Sequence, residues 1–165
     1  MESITVNPNL EAIYDGDIPD AISECYRCKE QVLRAISGNP STTEVASWDA
    51  KVFAAQGVKT SGGPTPIILT KDKIKYGSLD AAVAIILMRS RLYTLTKTGV
   101  DILFDAAKAK LETATNQTGL QTIRDNFCAD LAAIHTEILT VRDAVQAGDM
   151  SRLDAAETAL LAQAK

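Results

Sequence analysis

Between residues 120 and 145 the apolar side chains Leu120, Ile123, Phe127, Leu131, Ile134, Ile138, Val141 and Val145 follow one another in steps of three and four. An α-helix brings positions i, i+3, i+4 and i+7 to one face, so all eight share one stripe; a strand, with its period of two, would scatter them over both faces. The stripe dictates a long helix with one apolar side, a stave of a bundle or coiled coil that other helices must cover. Thr118 and Gln121 have capping-box spacing at its start, and Gly148 suits its C-cap.

A second long helix precedes it. Ser78 is placed to cap it, with Asp80 in the first turn, where the helix dipole favours a carboxylate. Its apolar positions are Leu79, Val83, Ile86, Tyr93, Val100, Phe104, Ala107 and Leu111, a seam interrupted where Ser90 and Lys97 fill the gaps. Gly99, in mid-helix, costs about 1 kcal/mol relative to Ala and marks a kink or a close helix contact. The short link between the two helices predicts an antiparallel hairpin over 78–147, and Ser151 with Asp154 opens an Ala-rich final helix over 151–164.

All five prolines (Pro8, Pro19, Pro40, Pro64 and Pro66) lie before residue 67, so regularity increases toward the C-terminus. Ile4 and Val6 alternate with polar residues, and Asn7-Pro8-Asn9 and Asp15-Gly16 are turn signals, which predicts an irregular or weakly extended arm. Pro19 suits the first turn of a helix carrying Ile22, Cys25, Tyr26, Lys29, Val32, Leu33 and Ile36, stopped by Gly38-Asn39-Pro40. Ser41 and Glu44 form a capping-box pair before a short helix with Val45, Trp48, Val52 and Ala55 on one face, which Gly57 ends. Residues 57–77, with Ser61-Gly62-Gly63-Pro64-Thr65-Pro66, an apolar Ile67–Leu69 patch and the charged stretch Lys71–Lys75, read as a hinge or a partner-facing loop. The expected fold is mainly α: residues 1–40 as arm and first helix, and 41–165 as a helical domain built on the hairpin.

With 46% hydrophobic and 23% charged residues, 165 residues suffice to bury a core. The net charge of −4, from 17 basic and 21 acidic residues, comes without a basic cluster, which argues against a nucleic-acid partner. The longest strongly apolar run, Ala81 to Met88, is too short to span a bilayer, so no membrane partner is expected. Met1-Glu2-Ser3 shows no basic region leading into an apolar one, which points to a cytoplasm, and three cysteines there read as reduced thiols.

Catalytic and cofactor signals are weak. Cys25-x-x-Cys28 has redox or zinc spacing, but zinc would need two further ligands, with only Cys128 and His135 on offer, and no strand precedes the helix as the redox motif requires. The simpler reading is a buried thiol and a bystander. His135, the only histidine, has no nucleophile or carboxylate at motif spacing, and no Glu-x-x-His is present for a di-iron centre. Gly62-Gly63 lacks the Lys-Ser/Thr of a phosphate loop. Arg89 and Arg91 read as a solvated face. No catalytic residue, metal or cofactor is therefore expected.

Ser47-Trp48-Asp49 on an Ala-rich helix is followed by Pro64-Thr65-Pro66-Ile67-Ile68-Leu69. A long helix then runs through Tyr93 and Gly99 to Ala114-Thr115. In order and spacing this stretch resembles the C-terminal helical domain of bacteriophage tail-fibre assembly proteins and related tail components. Lys71–Gly77 stands where that pattern often has an Arg- and Ala-rich segment, and the final helix is additional. The resemblance implies a non-enzymatic protein of the host cytoplasm or the virion tail that binds a tail fibre or other tail protein as an assembly chaperone. The expected contacts are Trp48, Thr65, Pro66, Ile67, Leu69 and Tyr93. A homo-oligomeric virion connector or cement protein is the alternative.

Overall fold

In the computed structural model, residues 12–36 and 42–163 are described, and every structural statement here concerns them. Six α-helices account for most of them: α1 (Asp17–Ile36), α2 (Thr42–Ser61), α3 (Thr70–Tyr76), α4 (Leu79–Glu112), α5 (Gln117–Gln146) and α6 (Ser151–Gln163), with a 3-10 turn at Ile67–Leu69. The mainly α architecture is the one the periodicity required. The expectations for Ile4–Asn9, for the Gly38-Asn39-Pro40 stop and for a Ser41 cap lie outside the described residues.

Packing groups the chain into two compact units, residues 1–33 with 97–137 and residues 34–96 with 138–165. The expected division at residue 40 follows chain order, whereas packing joins stretches distant in the chain.

The first unit holds α1, the C-terminal half of α4 and the N-terminal part of α5. Residues 113–116 turn the chain back, so Val100, Ala107 and Leu111 of α4 share a core with Leu120, Phe127 and Leu131 of α5, and Ala21, Cys25 and Leu33 of α1 cover it. Phe104 meets Phe127 edge-on at 6.2 Å, a favoured aromatic geometry. Asn116 caps α5: its Oδ1 accepts from the Gly119 N–H at 2.7 Å, so the cap is two residues earlier than Thr118. Gln117 donates to Asp17 Oδ2 at 2.6 Å and to the Ala12 carbonyl at 3.2 Å, and Asp17 Oδ2 also accepts from the Tyr14 N–H, which joins the starts of α1 and α5.

The second unit packs α2, the 3-10 turn and the start of α4 around Ala55, Leu69, Val83 and Ile86. Gly57 lies inside α2, which continues to Ser61, because one Gly costs only about 1 kcal/mol and neighbouring Ala55 and Val58 pack into this core. The expected loop 57–77 is therefore largely helical, and its true break is Gly62-Gly63, with φ of +66° and +110°. Gly77, at φ +84°, ends α3 in the left-handed conformation, and Ser78 caps α4 through Oγ, which accepts from the Ala81 N–H at 3.0 Å. The buried stripe of α4 runs through Leu92 and Thr96 in place of Tyr93 and Lys97. Thr96 tolerates burial because its hydroxyl donates to the Leu92 carbonyl at 2.8 Å. Arg91, expected on a solvated face, instead holds α6: it donates to both Glu157 oxygens and to Asp154.

Candidate partner-binding segment

The sequence from Pro64 to Tyr76 turns a short apolar patch outward. Pro66, with φ −60° and ψ 138°, starts the 3-10 turn, which the Leu69 N–H closes by donating to the Pro66 carbonyl at 2.9 Å. Three residues per turn separate neighbouring side chains by about 120°. Leu69 therefore enters the core, fully buried, while Ile67 is 93% exposed.

Leu69 is the anchor that holds the turn against Ala55, Val83 and Ile86. Lys51 on α2 reaches Asp72 on α3 at 2.8 Å, and Lys73 donates to Thr65 Oγ1 at 3.2 Å. These contacts fix the segment at both ends, and Ile74, 77% exposed, faces away from Asp72 on the same short helix. Burying an isoleucine side chain is worth about 1.5–3 kcal/mol, so Ile67 on the turn and Ile74 on α3 are exposed apolar surface whose burial would be favourable.

The expected contact residues fare unequally. Ile67 is the most exposed of them. Thr65 and Pro66 are half-buried at its base. Leu69 is corrected from a partner contact to a core residue, because its side chain is already used inside the unit. Trp48 is half-buried on α2. Tyr93, 38% exposed, lies two turns beyond Ile86 along α4, about 10 Å from the core that seats the turn. Ile74 was missed, because a lone isoleucine among lysines reads as part of a charged stretch. Phe53, 79% exposed on α2, was missed because it lies off the stripe of Val52 and Ala55.

Of the weaker candidates, Cys25 is buried and Cys28 half-buried, both in contact with the first unit's core, and His135 is half-buried on α5. Among the described residues no three His, Cys, Asp or Glu side chains are grouped to hold a metal ion, and no helix is long and apolar enough to cross a membrane.

Comparison with protein-family models, curated proteins and solved structures finds no match to this chain.

Proposed function

We propose that this chain is a non-enzymatic phage tail protein that grips a tail fibre or another tail component through the Pro66–Tyr76 segment, as an assembly chaperone or as a fibre-associated part of the virion. The carrying observation is the contrast within one 3-10 turn: Leu69 wholly buried and Ile67 almost wholly exposed, with Ile74 exposed on the helix that follows. An isolated exposed isoleucine is ordinary, but one presented on a turn that is itself anchored costs little ordering entropy to bury against a partner. The sequence resemblance supplies the class of partner, and the surface supplies the means.

Affinity capture of the chain with a co-expressed fibre protein encoded beside it tests the reading. Capture that weakens about tenfold or more with Ile67→Ser and Ile74→Ser together supports it. Light scattering separates the alternative, in which the same isoleucines meet a second copy: a stable closed homo-oligomer without the fibre favours the self-assembling virion protein.

A further inference from the structure

The charged residues between Pro64 and Gly77 are Lys71, Asp72, Lys73 and Lys75. The one acid among them is withdrawn: Asp72 pairs with Lys51 of α2 at 2.8 Å, and its side chain is 14% exposed. The three lysines are all exposed, so the charge this stretch turns outward is positive. Among the described residues none of their ammonium groups has a carboxylate partner; Lys73 donates to Thr65 Oγ1, and Lys75 lies 5.2 Å from the centre of the Tyr76 ring. Lys73 and Lys75, in the last turn of α3, suit the negative end of its dipole. Lys71 stands near the start of α3, where the dipole disfavours a cation, so helix stability does not account for it. Three residues apart on one helix, Lys71 and Ile74 share a face, and Lys75 adjoins Ile74 in the chain. The exposed isoleucines are thus rimmed by unpaired ammonium groups, in a chain whose net charge is −4.

We propose, on the reading of Pro66–Tyr76 as the partner-binding segment, that its occupant is an acidic strip of the protein partner: an apolar side chain that covers Ile67 and Ile74, flanked by Asp or Glu carboxylates that meet Lys71 and Lys75. Complementary rim charges speed encounter and fix register, whereas a basic strip would set like charges face to face. A short strip meets the lysines alone. An extended anionic surface, such as a bilayer or a nucleic-acid backbone, covers more of the chain than this segment and is repelled by the acidic remainder.

The test measures binding of the full chain to the co-expressed fibre protein at low salt and at about 0.5 M salt, for wild type and for Lys71→Glu/Lys75→Glu. A carbodiimide, which joins amines to carboxylates in contact, followed by peptide mass mapping, identifies what faces the lysines. Wild-type binding is expected to fall about tenfold with salt, and the charge-reversed variant to lose about tenfold or more at low salt with unchanged melting. Lys71 or Lys75 is expected to cross-link to an Asp or Glu beside an apolar residue of the fibre. Lys110→Glu/Arg152→Glu, the same charge change at exposed positions outside the segment, is expected to leave binding unaltered. Ile67→Ser/Ile74→Ser separates two failures. Binding that this variant weakens but that salt and the lysine variant leave unchanged overturns the acidic strip and keeps the segment as the partner site. Binding that neither variant weakens, or no binding, overturns the segment and the strip with it. Equal loss in Lys110→Glu/Arg152→Glu overturns the proposal, because overall charge then accounts for the effect. So does lysine-dependent binding to phosphatidylcholine vesicles containing about a third phosphatidylserine in place of the fibre, which would assign the rim to a membrane.

Discussion

Lys29 Nζ stands 2.6 Å from Asp101 Oδ1, joining α1 to α4 within the first unit, with the two side chains only 12% and 30% exposed. Lys97 reaches the other carboxylate oxygen at 2.6 Å, and the Lys29 ammonium also lies 4.9 Å from the centre of the Phe104 ring. Burial pushes the Asp101 carboxyl up, but the two ammonium groups outweigh it and hold it below the usual carboxylate range.

Replacing this carboxylate leaves the largely buried Lys29 unpaired, so Asp101→Asn is expected to cost about 2 kcal/mol at neutral pH, read from urea unfolding. The pH dependence follows from the lowered folded value. The stabilisation is fully present above the unfolded value of about 3.9 and is lost as pH falls through the folded one. The gap between wild type and Asp101→Asn is therefore constant from pH 7 to 5 and narrows below about pH 4. A gap that widens on acidification contradicts the assignment.

Gly99 lies within the unbroken α4, and a methyl group at its α-carbon would meet nothing within 4 Å. The close helix contact that this glycine suggested is absent, so it carries only its entropic cost. Gly99→Ala is expected to stabilise the protein by about 1 kcal/mol in the same urea titration. Destabilisation would show that this stretch of α4 needs the freedom of glycine.

Within the 3-10 turn, two neighbouring substitutions should part company. Leu69→Ala removes a fully buried side chain and is expected to cost about 2–5 kcal/mol. Ile67→Ser, at an exposed position, is expected to change stability by less than about 0.5 kcal/mol. Equal losses in thermal melts would mean that Ile67 is part of the fold and is not held ready for a partner.

Arg91 grips Glu157 through two nitrogens, at 3.0 and 2.7 Å, and Asp154 at 2.7 Å, but the groups are 33–61% exposed. Such a surface network is worth about 1 kcal/mol and is screened by salt. In Arg91→Ala, amide exchange in α6 is expected to quicken about fivefold at low salt and less at high salt, while Leu153, fully buried, keeps the helix docked. Unchanged exchange would assign the docking of α6 to its apolar contacts alone.

The α5 stripe was legible because a strict apolar period has one helical solution: Leu120, Phe127, Leu131, Ile138, Val141 and Val145 are all buried. The Ser78 cap and the Gly148 C-cap were legible for the same local reason, with the Asp149 N–H donating to the Ala144 carbonyl at 2.9 Å across the left-handed Gly148. Features that depend on distant neighbours were hidden. Thr96 reads as polar until its hydroxyl is seen to bond within its own helix, and Gly57 reads as a stop until the packing of its neighbours is known. Cys128 is a hundred residues from Cys28, so only the folding of α5 onto α1 brings both to the lining of one cavity. In the candidate segment the apolar triplet Ile67–Leu69 was visible. Which of its members turns inward depended on the 3-10 geometry.

The proposed grip on a tail fibre rests on the outward isoleucines of the Pro66–Tyr76 segment. Its most direct measurement is the affinity of the purified chain for the co-expressed fibre protein, for wild type and for Ile67→Ser/Ile74→Ser. Saturable binding to the fibre, weakened about tenfold or more in a double variant whose melting temperature is unchanged, is the expected result. No binding, or equal binding by the two proteins, would contradict it.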